Sequence, residues 1–162
     1  MTWENRSVTE PRTFASPSEL AALAGGDPIG SSDWIQITQD RINQFAEATG
    51  DFQWIHCDAE KAAAGPFGTT IAHGFLTLSL LPMLWKQVYL VEGVKMGVNY
   101  GLNKVRFPSP VPVGSRVRVT VRVASVEEPA PNTVQITLTN TIELEGGAKP
   151  ACIAESVVRY ML

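Results

Sequence analysis

The sequence predicts an α+β fold in which an antiparallel sheet wraps around one buried helix. An apolar run begins at Gly74 and continues to about Tyr89, with apolar side chains in nearly every direction of a helical wheel. A helix of that kind must be covered on all sides. Downstream of it, several stretches alternate apolar and polar residues, the pattern of strands with one buried face. A sheet curved around the helix is the economical way to bury it.

Length and composition indicate one globular domain. The chain has 162 residues, of which 44% are hydrophobic, and its mean hydropathy is +0.03. We assign residues 16–162 to this domain and expect the polar residues 1–15 to form an N-terminal arm.

Charge and apolar runs exclude two classes of partner. The net charge is −3 and no block of Lys or Arg stands out, which disfavours nucleic acid and anionic membranes. The longest apolar run, Phe75 to Trp85, is too short to span a bilayer, and the N-terminal residues lack an apolar signal core. The cytoplasm is therefore the expected location.

The first predicted helix begins at a capping box. Ser16 can cap it, Pro17 suits its first position, and Glu19 completes the box. A short strand is predicted at residues 34–37.

Two further helices also have caps in the sequence. Thr38 is placed to cap a helix from about Gln39 to Thr49, which carries one apolar stripe and ends at Gly50. Asp58 can cap a smaller helix over residues 59–64.

The apolar run over residues 74–89 is the predicted central helix. Pro82 lies inside it and removes one backbone donor, so we expect a kink there.

Alternation predicts the strands that follow. The proline-rich segment 108–114 can only connect strands. Residues 95–107 are predicted to form one strand or two, interrupted by a bulge at Gly101. The other predicted strands cover residues 116–123, 134–144 and 151–161. One five-stranded sheet is small for so large a helix, which favours a dimer whose sheets join edge to edge.

A candidate site lies between the capped helices and the central helix. His56 follows Asp51 by five residues, and Gly50 can end the preceding helix in a left-handed conformation, so that an extended segment carries His56 back towards Asp51. The N–H of Gly74 is an unpaired donor at a helix start. A base, a water-orienting group and an oxyanion donor suit addition of water to a double bond conjugated with a thioester.

Simpler interpretations stand beside this one. Asp51 can merely close a turn, and His56 can be a hydrogen-bonded, partly buried histidine. Cys57 is a candidate nucleophile, although a small space-filling residue is the plainer interpretation. The only cysteines, Cys57 and Cys152, show no metal-ligand spacing, and no metal is expected.

Two motifs resemble a known family. Residues 48–56, Ala-Thr-Gly-Asp-Phe-Gln-Trp-Ile-His, followed by His-Gly-Phe at residues 73–75, resemble the MaoC-like (R)-specific enoyl-CoA hydratases of hot-dog fold. Among these the chain is most similar to the single-hot-dog, nodulation protein N-like subgroup with mycobacterial members. The resemblance runs from about Pro11 to the end and includes residues 99–108.

The resemblance implies roles for three residues and an assembly. Asp51 and His56 would be the catalytic dyad, and the backbone of Gly74 the oxyanion donor. It also implies a homodimer whose two sheets form one continuous surface.

The sequence departs from the family where Asn-Pro usually stands. Here Gln53 and Trp54 occupy those positions. Gln53 can still hydrogen-bond the water or the turn, and Trp54 is expected to pack and narrow the pocket.

The remaining candidate contacts are less specific. We expect His73 to hold its loop by a hydrogen bond. Lys104 and Arg106 are candidates for contacts to the phosphates of coenzyme A, although charges that alternate along a strand are more often a solvated face. The other candidate substrate-binding residues are Gly68, Phe75, Ser79 and Asn103, and for Ser79 a bond back to its own helix is an equal alternative.

The sequence therefore predicts a hot-dog (R)-specific enoyl-CoA hydratase, or 3-hydroxyacyl-thioester dehydratase, of fatty-acid metabolism. Its substrates would be acyl-CoA or acyl-carrier-protein thioesters, with no cofactor beyond the substrate's own coenzyme A. The alternatives are a hot-dog thioesterase and a non-catalytic acyl-binding protein in which Trp54 closes the pocket.

Overall fold

The computed structural model describes residues 10–162. The helices in this part of the chain are a 3₁₀ helix (Pro17–Leu23), α1 (Gln39–Thr49), α2 (Trp54–Cys57), α3 (Ala59–Ala63), α4 (Gly74–Ser79) and α5 (Leu81–Trp85). The strands are β1 (Arg12–Phe14), β2 (Gly30–Ser31), β3 (Ile35–Gln36), β4 (Tyr89–Val91), β5 (Met96–Arg106), β6 (Arg116–Ala130), β7 (Thr133–Leu144) and β8 (Cys152–Met161). None of these helices is long and apolar enough to cross a membrane.

One antiparallel sheet carries the fold. Its strand order is β2-β6-β7-β8-β5, and β3 also pairs with β6. A second, two-stranded sheet joins β1 and β4 in parallel. The N-terminal arm predicted for residues 1–15 lies partly outside the described residues, and within it Arg12–Phe14 forms β1, with Phe14 buried.

The capping box predicted at Ser16 does not form. The Ser16 side chain makes no capping hydrogen bond, and the chain folds as a 3₁₀ helix in which the N–H of Glu19 donates to the carbonyl of Ser16. Because that tight turn already uses the Glu19 N–H, the hydroxyl is not needed there. The Glu19 carboxylate instead accepts from the N–H of Ala15 at 3.0 Å.

The other two predicted caps are confirmed. Thr38 Oγ1 accepts from the N–H of Arg41 at 3.3 Å, and Gly50 ends α1 at φ 76°. Asp58 Oδ1 accepts from the N–H of Lys61 at 3.0 Å.

The central helix predicted over residues 74–89 is divided into α4 and α5. Pro82 lies in the first turn of α5, where a missing N–H breaks no intrahelical bond, so the chain starts a new helix rather than bending one. Tyr89 already belongs to β4. Burial on all sides is also wrong for the single protomer, because Phe75 is 69% exposed.

The alternating strands bury one face as predicted. On β6 the valines from Val117 to Val123 point inwards and are at most 1% exposed. The inner face of β7 carries one polar residue, the fully buried Asn140, which accepts from Trp85 Nε1 at 2.6 Å and donates to Ser156 Oγ at 2.9 Å. This bond ties α5 to the sheet.

The strand β5 forms one edge of the sheet, where it pairs only with β8. Its register shifts between Asn99 and Gly101, which confirms the predicted bulge. Tyr100 and Leu102 are 57% and 47% exposed. The edge is therefore apolar as well as unpaired in the protomer.

Candidate active site

Asp51 lies in the turn that follows α1. Gly50 adopts a left-handed conformation there, and its N–H donates to the carbonyl of Ala46 at 2.8 Å. One carboxylate oxygen of Asp51 accepts from the N–H of Gln53 at 3.3 Å. Asp51 as a residue is exposed.

His56 lies on the single helical turn α2. The extended segment predicted between Asp51 and His56 is wrong, because the carbonyl of Gln53 accepts from the N–H groups of both His56 and Cys57 and closes a turn. This turn places the His56 side chain in the interior, where it is 6% exposed.

A backbone carbonyl fixes the tautomer of His56. His56 Nδ1 lies 2.7 Å from the carbonyl oxygen of Ile71. Because a carbonyl only accepts, Nδ1 carries the proton and Nε2 is left as an acceptor. Burial lowers the pKa of His56; the bond to Ile71 and the charge of Asp51 oppose that shift, and His73 adds to it. A neutral imidazole with a free Nε2 is the form of a base.

His73 lies flat against His56. The ring centroids are 3.8 Å apart and the planes differ by 27°, while Phe45 contacts His73 with its centroid at 5.0 Å. His73 Nε2 donates to the carbonyl of Asp51 at 2.9 Å. The hydrogen bond expected of His73 is thus present, and at 2% exposure the side chain is not placed to contact a substrate.

Asp51, His56 and His73 each place one possible ligand atom within 4.8 Å of the others. A metal ion needs nitrogen lone pairs that converge on one point. In nearly parallel stacked rings the lone pairs run side by side, and each ring already uses one nitrogen for a carbonyl. Coordination would require one ring to turn and give up its hydrogen bond, so this arrangement does not suit a metal.

A cavity of about 380 Å³ opens beside His56. Its other walls include Phe67, Gly74, Thr77 and Phe107. Gly74 begins α4, and a Cβ there would lie 3.1 Å from the Phe107 ring. The structure thus brings His56 and the start of α4 to one largely apolar cavity, with the Asp51 turn next to it.

Trp54 does not narrow this cavity as expected. Its ring lies against Gly65, where an added Cβ would come within 2.8 Å of it. Gln53 is exposed on the turn before α2. Of the remaining candidates, Gly68 lies in an exposed loop at φ 70°, and Phe75 approaches Phe107 edge-on with centroids 6.2 Å apart.

The hydroxyl of Ser79 bonds back to its own helix. It donates to the carbonyl of Phe75 at 2.6 Å, the alternative left open by the sequence. Ser79 also borders a second cavity of about 260 Å³, between α5 and β5.

The charged candidates lie on the edge strand rather than at the His56 cavity. Asn103 donates to Glu155 at 2.6 Å, and Arg106 donates to the carbonyl of Val105 at 2.7 Å. Lys104 is exposed on the same strand. The protomer therefore does not bring Lys104 or Arg106 to the candidate catalytic side chains.

The sequence did not reveal two supports of His56. Gln39 on α1 donates to the carbonyl of His56 at 2.8 Å and accepts from Thr70 Oγ1 at 2.6 Å. The second support is the carbonyl of Ile71. Neither has a sequence signal, since one is a backbone atom and the other a glutamine at the start of an ordinary helix.

Cys57 does not have the surroundings of a nucleophile. Burial raises the pKa of its thiol, and the negative charges of Asp51 and Glu47 raise it further. A raised pKa keeps the thiol protonated, and a protonated thiol is a poor nucleophile.

Known proteins resemble this chain along most of its length. Residues 21–145 match the family described as MaoC like domain. The 3-hydroxyacyl-thioester dehydratase Z of Mycobacterium tuberculosis is 64% identical over 150 residues, covering 93% of this chain and 99% of the relative. Nodulation protein N of Rhizobium leguminosarum is 44% identical over 131 residues, covering 80% and 81%.

A solved structure extends the likeness to the fold. The (R)-hydratase from A. caviae involved in PHA biosynthesis aligns with a TM-score of 0.65 and 30% identity, covering 78% of this chain and 89% of that one. The sheet around α4 and α5 is therefore a hot-dog fold, and the chain belongs to the MaoC-like family.

Proposed function

We propose that this protein is an (R)-specific enoyl-thioester hydratase, which reversibly adds water to a trans-2-enoyl thioester to give the (3R)-3-hydroxyacyl product. The observation that carries the proposal is the state of His56, which lines the cavity and whose Nδ1–H is held by Ile71, so that Nε2 is left as an acceptor. A relative named as a 3-hydroxyacyl-thioester dehydratase and a solved (R)-hydratase support the reaction class.

Asp51 and His56 are the proposed holders of the attacking water. Their side-chain atoms come within 4.8 Å, a span that one water bridges with two hydrogen bonds of about 2.8 Å. The water donates one hydrogen to each acceptor and turns its lone pair towards the β-carbon. As the C–O bond forms, one of the two side chains takes a proton from the water. One of them then returns a proton to the α-carbon on the same face, so the addition is syn.

The N–H of Gly74 is the proposed donor to the thioester oxygen. The first N–H groups of a helix have no intrahelical acceptor. As water adds, the thioester carbonyl oxygen gains the charge of an enolate, and a donor already in place stabilises it. The missing side chain at Gly74 leaves the space beside Phe107 open for that carbonyl.

The proposed assembly is a homodimer formed through β5. This strand pairs only with β8 in the protomer and carries the exposed apolar residues Met96, Tyr100 and Leu102. Two such edges joined antiparallel would make one continuous sheet and cover apolar surface. An acyl-CoA or acyl-carrier-protein thioester is the proposed substrate.

The test is hydration of crotonyl-CoA by the purified, untagged protein in the presence of a chelator. We expect the enoyl absorbance to fall without added cofactor, and a dehydrogenase specific for (3R)-hydroxyacyl-CoA to oxidise the product. Butyryl-CoA with a thiol reagent is the control for thioester cleavage. Release of free thiol without hydration would show a thioesterase instead of a hydratase. If neither reaction occurs, the result would favour an acyl-binding protein.

A further inference from the structure

We infer that His73 is a positioning residue for the proposed dyad, which holds the Asp51 turn with one ring nitrogen and supports the His56 ring with its face. The inference rests on the proposed function, since it assigns His73 to the same site. His73 does not line the cavity, so it acts through Asp51 and His56 rather than on the substrate.

The hydrogen bond made by the His73 ring defines its tautomer. Nε2 lies 2.9 Å from the carbonyl of Asp51 and must carry a proton to donate to it. Nδ1 is buried and has no hydrogen-bond partner among the described residues. With its proton on Nε2, His73 has the tautomer opposite to that of His56.

The packing of His73 restricts the His56 ring. The ring of Phe45 packs against His73, and the ring of His56 stacks on the face of His73. His56 is thus held at one edge by Ile71 and over one face by His73. A ring held in two directions keeps Nε2 pointing at a fixed water position, as a base requires.

His73 also joins the two halves of the site along the chain. It directly precedes Gly74, and its carbonyl accepts from the N–H of Thr77 at 3.1 Å in the first turn of α4. A displacement of His73 would therefore move the Asp51 turn, the His56 ring and the proposed oxyanion donor together.

The electrostatic effect of His73 gives the inference a distinctive signature. The titratable groups that act on His56 are Asp51, which favours its charged form, and His73, which disfavours it. Replacement of His73 by an uncharged side chain removes the unfavourable interaction, so the pKa of His56 should rise. A merely structural defect would lower activity without that shift.

Two substitutions separate the two contacts. In His73→Phe a flat ring is kept and the donor to Asp51 is lost, while in His73→Gln a donor of similar reach is kept and the ring is lost. We expect kcat of His73→Phe to fall roughly tenfold to a hundredfold, the usual loss when a supporting group is removed, with little change in KM. His73→Gln should recover part of that loss. In both variants the acid limb of kcat/KM should move to higher pH.

Phe45→Leu is the matched control, because it alters the packing against His73 while His73 itself and its hydrogen bond to Asp51 are kept. It should leave the acid limb where it is in the wild type. Full kcat in a folded His73→Phe variant, or an acid limb that moves equally in Phe45→Leu, would overturn the inference.

An NMR measurement tests the inference apart from catalysis. The chain has only two histidines, so the imidazole nitrogen spectrum of the untagged protein should show one Nδ1–H and one Nε2–H tautomer. The single remaining histidine of His73→Phe should titrate at a higher pH than His56 of the wild type. If the wild type fails to hydrate any enoyl thioester, the proposed function fails, whereas identical tautomers or an unshifted His56 would reject the role of His73.

Discussion

His56 and His73 lie in contact in the interior, and each gives one ring nitrogen to a backbone carbonyl. The carbonyl of Ile71 leaves His56 with a free Nε2, and the carbonyl of Asp51 leaves His73 with a free Nδ1. The backbone therefore assigns opposite tautomers to two residues of the same type. In the proposed site, that assignment gives His56 the role of the base and His73 the role of its support.

Burial of His56 predicts that the folded protein loses stability in acid. The pKa of His56 is lowered in the folded protein, so as the pH falls the unfolded chain binds this proton first, starting near the ordinary value of about 6.5. The free energy of unfolding should therefore decrease as the pH falls from about 6.5 through the pKa of folded His56. Urea unfolding at a series of pH values measures this, with His56→Gln as the control, which should show a weaker decrease. Equal pH dependence in both proteins would contradict the prediction.

The sequence revealed the chemical groups of the site better than their supports. Gly50 and the five-residue spacing indicated Asp51 and His56 as candidates, because the left-handed end of a helix is a local property, and the family resemblance of residues 48–56 assigned them to a dyad. Ile71 and Gln39 reach His56 from 15 and 17 residues away, through contacts that only the folded chain creates. The position of Trp54 was predicted wrongly for a similar reason, because Gly65, against which its ring packs, lies on a separate loop.

At the scale of elements, α4 and α5 show how one proline shapes the centre of the fold. The apolar pattern predicted the helix and Pro82 predicted a disturbance, but periodicity does not distinguish a kink from a new helix start. The apolar pattern also did not predict the hydrogen bond between Trp85 and Asn140 that joins α5 to the sheet. Asn140 occupies an inward position on β7 because the indole N–H of Trp85 needs an acceptor in the interior.

Loss of the Trp85–Asn140 bond should destabilise the protein. Asn140→Leu keeps the branched shape of the side chain and leaves the indole N–H buried without a partner, which costs about 1–3 kcal/mol. Urea unfolding gives the loss directly. In a Trp85→Phe background the same change should cost less, because no indole donor is left there. A cost that is equal in both backgrounds would show that the bond contributes nothing specific.

In the whole molecule, β5 is an edge strand, and its outer side has no strand partner within one chain. The sequence predicted that one sheet would not cover the central helix, and the exposed Phe75 and Leu102 agree with that reasoning. Alternation alone did not show which strand would form the open edge. Strand order depends on long-range pairing, which a local pattern does not contain.

A charge on the inner side of β5 should weaken the proposed dimer. Leu102 pairs with the buried Ser156, so it faces the helix side of the sheet and is 47% exposed in the protomer. Leu102→Glu should shift the mass measured by light scattering towards the 17.6 kDa of one chain. Ile153→Glu, at a similarly exposed position (41%) on β8, should leave the dimer intact. A wild type that is monomeric at micromolar concentration would reject the proposed assembly.

The proposed mechanism depends on one water shared by Asp51 and His56. Asp51→Asn keeps the shape of the side chain and removes the proton acceptor, while His56→Ala removes the second contact to the water. Each should slow hydration of crotonyl-CoA by about 10² to 10⁴ fold, with the circular dichroism spectrum unchanged.

Kinetics of the two single variants and the double variant test this claim most directly. Residues that act on one water function as a unit, so the double variant should be little slower than the slower single variant. Asp51→Asn turning over crotonyl-CoA as fast as the wild type, or losses that simply multiply in the double variant, would contradict it.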